Sequence, residues 1–469
     1  MSKQEGDRST FTGSIGFVLA AAGSAIGLGN LWRFPYLAAK DGGGLFLVVY
    51  LILVVTFGFA LLTSEISIGR LTRQGPLTAY GKIKPKWGFI GIFACVVPAI
   101  ILPYYCAIGG WVLKYLFAFL AGDASATAAD GYFTGHITSF TQPIVLTIVF
   151  LLISAVVVYR GVNKGIEQVS KIIMPVLILL MIGVSIFSLT LNYTDASGVT
   201  RTGLQGWMVY LIPNLDGVTF GTLLSVITDA TGQLFFSISV AMGIMVAYGS
   251  YARKDSNLMS SINQIEFFDT LAAFLAGLLI VPAVYCFMGV EGMGAGPGLM
   301  FVSLPKVFEA MGGVGVVVGI AFFLLTTLAA VTSCISIIEA IVSSIMDKFH
   351  MSRKHAVIIT SIWAVIAGTV VCLGYNLFYF EVNLPNGSVA QILDIADYFS
   401  NNILMPILAL LTCILIGWVA GPKVIVDEVE QGGKFKFQRR ILYIAMVKFV
   451  CPILLFVLLL QSLGLISFA

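Results

Sequence analysis

Long apolar stretches, separated by short polar segments rich in glycine, proline or charged residues, follow one another along the whole chain. A window of about 20 apolar residues is long enough to cross a bilayer as a helix. Eleven such stretches can be placed, at residues 13–37, 43–69, 88–121, 142–159, 166–191, 220–251, 257–289, 315–346, 356–374, 391–419 and 441–463. The pattern predicts an all-α polytopic membrane protein with eleven transmembrane helices, embedded in a lipid bilayer.

The first and the sixth stretch are interrupted near their middle. Residues 23–35 read GSAIGLGNLWRFP, and residues 232–243 read GQLFFSISVAMG. Hydrocarbon tolerates non-helical backbone only where it lines a cavity or is buried in protein. Paired interruptions at corresponding positions of two halves are typical of a transporter site between inverted repeats. We therefore expect a binding site where the two interruptions meet.

The basic residues concentrate in alternate loops. They follow the second, fourth, sixth, eighth and tenth stretches and precede the first. By the positive-inside rule these loops and the N-terminus are cytoplasmic, and the C-terminus is extracellular. The compact loops favour a bacterial inner (plasma) membrane. The predicted organisation is a tail at 1–12, a first repeat at 13–191, an extracellular loop at 192–219, a second repeat at 220–419, a cytoplasmic loop at 420–440, and helix eleven with a short C-terminus at 441–469.

Composition excludes several classes of function. The chain of 469 residues is 58% hydrophobic and only 10% charged, which a soluble protein of this size would not be. Seven cysteines and three histidines are dispersed without metal-ligand spacing, and no nucleophile and base come together. A net charge of +3 gives no reason to expect a nucleic-acid partner. The chain is therefore not expected to be an enzyme.

Several motifs together resemble those of the neurotransmitter:sodium symporter family. They are residues 27–35, 41–46, 65–70, 104–105, 233–239, 251–255 and 332–333. The similarity extends over nearly the whole chain. It implies a LeuT-type 5+5 inverted repeat with broken helices 1 and 6, followed by one further helix. It also implies sodium-coupled secondary active symport by alternating access.

The resemblance implies two co-transported Na⁺ ions, which prefer oxygen ligands. The first ion is expected at the Ala25 carbonyl and the side chains of Asn30, Ser237 and Asp269. The second is expected at the carbonyls of Gly23, Ile26 and Ala329 and the hydroxyls of Thr332 and Ser333. Thr332 and Ser333 taken alone would be read as small polar residues that pack helices together. The first-span motif favours the ligand reading.

Asp269 departs from the asparagine that is commoner in the family. It lies 12 residues after Asn257, about 18 Å along a helix, and an acid at that depth predicts a function. Chloride-dependent relatives bind the anion with groups matched here by Tyr50, Gln233 and Ser237, but Ala273 replaces a further serine. We expect the Asp269 carboxylate to replace chloride, so that none is required. A protonated Asp269 with a structural hydrogen bond is the alternative.

Gly27 indicates the substrate class, because monoamine transporters of the family carry an aspartate there. A glycine leaves room for a substrate with its own carboxylate, which would meet the amides of Leu28 and Gly29 and the Tyr105 hydroxyl. The positions that match the family's pocket for the substrate side chain carry no charge in this sequence. Their side chains are Ile101, Tyr105, Phe236, Ser239, Ala241, Met242, Cys334 and Ile337, with Ala25 and Ser237 beside them. A neutral hydrophobic L-amino acid is the predicted substrate.

The resemblance also assigns gates on both sides of the pocket. Arg33 and Asp397 match the outer ion pair, with Tyr105 and Phe236 as a lid. The inner pair is matched by Arg8 and Asp347, with Tyr251 beside them. Glu65 is expected to brace the interruption, and Gly165 and Pro175 bracket a segment of the fifth span that we expect to unwind. The roles of Glu266 and Glu339 stay open.

Two other functions remain possible from the sequence. A proton-coupled amino-acid exchanger on the same fold would need a titratable group in place of the second sodium site. A non-transporting amino-acid sensor would keep the binding site, and such sensors tend to carry long cytoplasmic extensions. The preferred amino acid, the sodium stoichiometry, proton counter-transport and the oligomeric state are not determined by the sequence.

Overall fold

The computed structural model describes residues 9–195, 197–293 and 297–466. The described chain is almost entirely helical. Its only strands form two short antiparallel hairpins, Asn192–Thr194 with Thr200–Thr202 and Val382–Asn383 with Val389–Ala390. In the first, Tyr193 lies opposite Arg201, and in the second, Val382 lies opposite Ala390. The predicted all-helical class is confirmed.

Within the described ranges, nine helices are long and apolar enough to cross a membrane. They are Gly44–Thr72, Pro85–Leu120, Gln142–Tyr159, Val162–Leu189, Leu258–Met288, Gly313–Phe349, Arg353–Leu373, Ile392–Val419 and Arg440–Ser462. Before them, Ser14–Ala25 and Gly29–Lys40 form a pair bent by 51° that counts as a tenth span. The predicted sixth stretch forms two shorter helices, Phe220–Ser237 and Ile244–Tyr251. The number eleven stays a prediction.

Short helices connect the spans or lie at their ends. They are Pro76–Ile83, Ala124–Thr127, Tyr132–Ile137, Gly203–Leu211, Leu304–Ala310 and Lys423–Glu430. The loop between the fifth and sixth spans contains the first hairpin and the Gly203–Leu211 helix. That helix begins with a reciprocal capping box between Thr202 and Gln205. We call the membrane side that carries the basic loops the basic face and the other the opposite face.

Glycines allow the second span to pack closely against the second half of the broken sixth span. A Cβ at Gly69 would overlap the Val246 carbonyl, and one at Gly249 would overlap the Ile66 carbonyl. Small residues let backbones approach in this way where lipid supplies no hydrophobic force between helices. The short Ile244–Tyr251 helix is therefore held against a long, continuous neighbour.

Partly buried ion pairs join the elements at the basic face. Arg70, whose side chain is fully buried, lies 2.5 Å from Glu428 of the Lys423–Glu430 helix. Arg439 lies 2.7 Å from Glu266 of the seventh span. A charged side chain at such a depth is stable only with a partner. Glu266, which the sequence left without a role, thus joins the seventh span to the loop before the last span.

Replacing Gly69 with alanine tests the close contact. Because the added methyl group would meet backbone, the helices must separate, and we expect Gly69→Ala to cost about 1–3 kcal/mol of stability. Thermal unfolding in detergent measures the change. Gly183→Ala in the fifth span is the matched control, since no atom lies within 4 Å of its Cβ position. Equal melting temperatures for the two variants would contradict the assigned contact.

Candidate functional site

A cavity lies between the two interrupted helices and the third, eighth and tenth spans. Water-sized spheres can occupy about 60 Å³ of it, several times the ~10–15 Å³ that one water needs. Its lining is mostly apolar, with polar groups from the interruptions. The lining residues are Ser24, Gly27, Leu28, Gly29, Trp32, Ile101, Tyr104, Tyr105, Ile108, Phe236, Ser239, Met242, Ile244, Ser333, Ile337, Asp397 and Asn401.

The break in the first helix leaves main-chain oxygens without helical partners. The helix ends at Ala25, where Ile26 turns to φ −78° and ψ 92°. Helical backbone then resumes, with Leu28 in the right-handed region and Pro35 in the first turn of Phe34–Lys40. Within the described ranges no donor bonds to the carbonyls of Gly23, Ala25 or Ile26. Such oxygens need a ligand or water, because an unbonded buried carbonyl is costly.

The break in the sixth helix is made by residues in left-handed backbone. Ser239, Ala241 and Gly243 have φ values of +52°, +57° and +70°. A non-glycine residue in this region costs roughly 1 kcal/mol or more and persists only when its surroundings hold it. Here Glu65 of the second span accepts a 2.7 Å hydrogen bond from the Ala241 amide. This contact supports the bracing role expected for Glu65.

One serine links the two breaks directly. Ser239 donates to the Ser24 carbonyl at 3.0 Å, and the hydroxyls of the two serines lie 3.2 Å apart. Ser333 of the eighth span donates to the same Ser24 carbonyl at 3.0 Å. The main chain of the first break is therefore held by side chains from both the sixth and the eighth spans.

A fully buried polar cluster lies beside the cavity. Ser237 donates to Asp269 at 2.8 Å and accepts from Tyr50 at 2.7 Å. The Asn30 amide nitrogen donates to Ser237 at 3.2 Å and to Asp269 at 3.3 Å. The Asn30 side-chain oxygen has no partner among the described residues. Four predicted residues from four different elements thus meet, and one buried oxygen among them is free to accept a cation.

Gln233 lies one helical turn before Ser237 and bonds to the first span. Its amide nitrogen donates to the Gly29 carbonyl at 3.2 Å, while its side-chain oxygen is without a partner in the described chain. Ala273 is buried and contributes only a methyl group. Tyr50 and Ser237, two of the residues that match the chloride site, therefore bond directly to the Asp269 carboxyl.

The second predicted ion position lies between the first, fifth and eighth spans. A Cβ at Gly23 would lie 3.5 Å from Thr332 Cβ and 3.2 Å from Met174 Sδ, so Gly23 faces Thr332. The Thr332 hydroxyl donates to the Ala329 carbonyl at 3.0 Å. Ser333 lies on the same turn. The five predicted groups of Gly23, Ile26, Ala329, Thr332 and Ser333 therefore belong to two helix segments that face each other.

Most of the predicted pocket residues line the cavity, but four do not. Ala25 and Ser237 belong to the neighbouring polar groups, and the Ala241 amide is turned toward Glu65. Cys334 lies beside Cys106 of the third span, with 3.8 Å between the sulfurs. A role in substrate binding stays a prediction at these four positions. Helix register places them next to the cavity, but the orientation of each group depends on its tertiary partner.

The cavity also contains residues that sequence reasoning missed. Trp32, Tyr104, Ile108, Ile244 and Asn401 line it, as does Ser24. The signal for Trp32 and Tyr104 was available, because both lie inside motifs quoted for the family resemblance. Nothing in the sequence distinguishes Ile108 or Asn401 from other residues of long helices. Their role depends on which helix faces contact the breaks.

The outer gate differs from the predicted arrangement. Asp397 accepts a 2.6 Å hydrogen bond from Asn401, and the Arg33 guanidinium lies 4.9 Å from the centre of the Phe236 ring. The described residues show no Arg33–Asp397 ion pair within 4.0 Å. The predicted direct pair is thus not formed in this conformation, where Asn401 bonds to the carboxylate, and its role as an outer gate stays a prediction. Phe236 still covers Gly29, where a Cβ would lie 3.1 Å from the Phe236 Cβ.

The inner gate can be described only in part, because Arg8 lies outside the described residues. Asp347 accepts a hydrogen bond from the Gly75 amide. Tyr251 donates to Glu339 at 2.5 Å, and Arg353 pairs with the same carboxylate at 2.5 Å. Glu339, which the sequence left open, therefore connects the end of the sixth span to the ninth.

The N-terminal segment packs against this inner region. Phe11 donates its amide to the Tyr251 carbonyl at 3.0 Å, and its ring lies edge-on to Tyr248. The Thr12 amide donates to the Glu167 carboxylate at 2.9 Å. Glu167 is in the π-helical turn Val162–Glu167 that begins the fifth span. The bracketed segment of the fifth span thus contacts the tail beside the inner gate.

Charged residues surround the opposite-face entrance. Lys40 lies 2.6 Å from Asp229 and 3.8 Å from Asp41. Asp41 is in the turn between the first and second spans. Burial, and next the Asp229 carboxylate, raise the pKa of Asp41 to about 7, although Lys40 opposes the shift. The turn therefore contains a carboxyl that the folded protein holds partly protonated near neutral pH.

These features define a class of protein before any comparison. Two helices broken at membrane depth, with a small cavity and grouped oxygen atoms between them, are the architecture of a secondary transporter. The profile of the sodium:neurotransmitter symporter family matches residues 8–142 and 134–468. The chain belongs to this family, whose members are symporters and not enzymes.

The chain is also similar to individual members of the family over nearly its whole length. The chain is 34% identical to a sodium-dependent transporter of Bacillus subtilis, YhdH, over 97% of both chains. It is 30% identical to a sodium-dependent transporter of Haemophilus influenzae over 99% of this chain and 100% of the relative. It is similar to the solved structure of MhsT in complex with L-phenylalanine, with a TM-score of 0.83 and 32% identity over 97% of this chain and 100% of that one.

The raised pKa of Asp41 predicts how stability depends on pH. The unfolded carboxyl ionises near pH 4, whereas the folded one stays protonated up to about pH 7. Wild-type stability should therefore fall relative to Asp41→Asn as the pH rises from 4 to 7, and the difference should then level off. Melting temperatures measured from pH 4 to 8 test this. Asp427→Asn, at an exposed position, is the control, and a constant difference would contradict the assignment.

Proposed function

We propose that this sodium-dependent transporter couples two Na⁺ ions to the uptake of neutral, hydrophobic L-amino acids and does not require chloride. One observation carries the proposal. The carbonyls of Gly23, Ala25 and Ile26, freed by a helix break, lie beside a mostly apolar cavity. Peptide oxygens attract an alkali cation, and the free amides of the next helix start attract a carboxylate.

The buried polar cluster supports the first ion position. Asp269 supplies the negative charge, and the partnerless Asn30 oxygen supplies an uncharged ligand. Ser237 holds both residues in place while it accepts a bond from Tyr50. The Ala25 carbonyl completes the protein groups. In this arrangement the substrate carboxylate is an additional ligand, so that ion and substrate each raise the affinity for the other.

The second ion position is supported by the facing segments of the first and eighth spans. The carbonyls of Gly23 and Ile26 have no helical donor among the described residues, and the Thr332 hydroxyl donates to the Ala329 carbonyl of its own helix. Met174 of the fifth span covers Gly23. A change in the fifth span would therefore uncover this position. That geometry is consistent with release of an ion toward the basic face.

The cavity supports an amino-acid substrate with an apolar side chain. At Gly27 a Cβ would lie 2.8 Å from Ser333 Oγ and 3.4 Å from the Tyr105 hydroxyl. An aspartate, as in monoamine carriers, would not fit without rearrangement. The Tyr105 hydroxyl is buried at the cavity and can donate to a carboxylate. Ile101, Met242 and Ile337 provide apolar contacts for the side chain. MhsT, which resembles this chain, binds L-phenylalanine in its solved structure.

Alternating access would use the two differing ends of the cavity. On the opposite face, Phe236 and Arg33 form the cover, and the Asn401–Asp397 contact lies beside them. On the basic face, Phe11, Tyr251 and Glu339 hold the tail and the sixth span together. Closure of Arg33 onto Asp397 would add a charged partner to a carboxylate that Asn401 already contacts. Substrate in the cavity beneath Phe236 is the natural trigger for that closure.

A panel of amino acids tests the substrate class and its sodium dependence. Purified protein should bind leucine-like or aromatic neutral amino acids in NaCl and lose at least tenfold in affinity in KCl, because the ion shares the carboxylate. Charged amino acids should bind weakly, since the cavity offers no counter-charge for the side chain. Equal binding in sodium and potassium would contradict the symport mechanism. Sodium-dependent binding without uptake into proteoliposomes would favour the sensor, and uptake driven by a pH gradient alone would favour the exchanger.

Replacing Asp269 tests the role of its charge. Wild-type binding in sodium gluconate should equal that in sodium chloride. Asp269→Asn should need roughly tenfold more sodium in gluconate, since one ligand charge is lost, and chloride should restore part of the affinity. Sodium titrations of substrate binding measure both effects. Asp255→Asn is the control, because Asp255 is exposed in the loop after the sixth span, which is predicted to be cytoplasmic. A chloride requirement in the wild type would contradict this assignment.

A further inference from the structure

A groove separates the third and fourth spans near the opposite face, away from the transport cavity. Pro85–Leu120 and Gln142–Tyr159 form its walls, and the short helix Tyr132–Ile137 contributes to its upper end. Water-sized spheres can occupy about 520 Å³ of it. Its apolar wall includes Phe117 and Val145, which are 48% and 49% exposed. Exposed apolar side chains on membrane-spanning helices face lipid, so this groove is open to the bilayer.

A lysine lies inside the groove below its polar end. Lys114 is six residues before the last residue of its helix, Leu120, about 9 Å along the axis. Its ammonium lies 5.4 Å from the centre of the Tyr132 ring. Within the described ranges no carboxylate lies within 4.0 Å of it. A long basic side chain near a helix end directs its charge toward the membrane interface, where it meets anionic groups.

An acid lies at the outer end of the same groove. Asp123 follows the end of the helix, is exposed, and lines the groove together with Lys114. In the described part of the chain no lysine or arginine nitrogen lies within 4.0 Å of its carboxylate. Asp130, a second acid on the opposite face, is paired, since it lies 2.6 Å from Lys306. The groove therefore presents an unpaired cation deeper in the membrane and an unpaired anion nearer the aqueous phase.

This order of charges matches one class of membrane lipid. An ethanolamine phospholipid carries a phosphate at the level of the glycerol and a primary ammonium farther out. We propose that the groove binds the head group of an ethanolamine phospholipid, with its phosphate on Lys114 and its ammonium on Asp123. The lipid's acyl chain lies along Phe117, Val145 and Leu146. Charge-assisted hydrogen bonds at both ends distinguish this lipid from its neighbours in the bilayer.

Two other phospholipids fit the two charged residues less well. A phosphatidylglycerol has the phosphate but no ammonium, and its negative charge is repelled by Asp123. A phosphatidylcholine carries a quaternary ammonium that cannot donate a hydrogen bond to the carboxylate. Both should still occupy the groove through Lys114 and the apolar wall, but with lower affinity. The two charged residues therefore make separate contributions, which substitution can separate.

Lipid titration of the delipidated full-length protein in detergent tests the proposal. Short-chain phosphatidylethanolamine, phosphatidylglycerol and phosphatidylcholine are added in turn, and bound lipid is counted by native mass spectrometry. We expect the ethanolamine lipid to bind at least several-fold more tightly than the other two. Lys114→Met, which keeps the length and apolar stem of the side chain, should weaken all three about tenfold, as expected on losing a charged hydrogen bond.

The second substitution distinguishes head-group recognition from general attraction to phosphate. Asp123→Asn should weaken the ethanolamine lipid and strengthen phosphatidylglycerol, so that the preference disappears or reverses. Lys306→Met is the control, because Lys306 is a basic residue outside the groove. Unchanged sodium-dependent melting of each variant shows that it is folded. The proposal is overturned if wild-type protein shows no preference among the lipids, or if the preference survives both substitutions.

Discussion

Peptide groups at membrane depth have no water to bond, and the rest of this structure depends on that constraint. A continuous helix satisfies its own carbonyls and amides, so a span that breaks must find partners elsewhere. The first break leaves the carbonyls of Gly23, Ala25 and Ile26 without donors in the part of the chain that the structure describes. The chain tolerates this because the break faces a cavity and because the Ser24 carbonyl is held by Ser239 and Ser333. A helix break that would only destabilise a structural helix thus frees the carbonyls with which a transporter can bind ions.

The surrounding scaffold is built to hold these breaks in place. Glu65 on the continuous second span fixes the Ala241 amide in left-handed backbone, and Gly69 lets the same span approach the second half of the sixth helix. Long, unbroken helices therefore carry the groups that restrain short, broken ones. This division is what a two-state transport cycle needs, because rigid elements can keep the site while the short segments change their contacts.

The buried acids divide into groups with different roles. Asp269 lies in the polar cluster with Asn30, Tyr50 and Ser237, where it has hydroxyl and amide donors and, among the described residues, no basic partner. Glu266 and Glu339 each pair with an arginine near the basic face. An acid with a fixed counter-charge stabilises structure, whereas one that faces only neutral donors can still attract a cation. Geometry therefore separates acids that composition alone treats alike.

Much about this protein could be predicted from its sequence. Apolar runs interrupted at residues 23–35 and 232–243 indicated a helical membrane protein with a site at two breaks, and the motifs at Asn30, Gln233 and Thr332 indicated the family. These features are local, since hydropathy, glycine and proline act through neighbouring residues. Other features depended on tertiary structure. The contact of Arg33 with the Phe236 ring, the turn of Cys334 toward Cys106, and the presence of Ile108 in the cavity follow from how distant helices rotate against each other. Packing between residues hundreds of positions apart sets that rotation, and no local pattern records it.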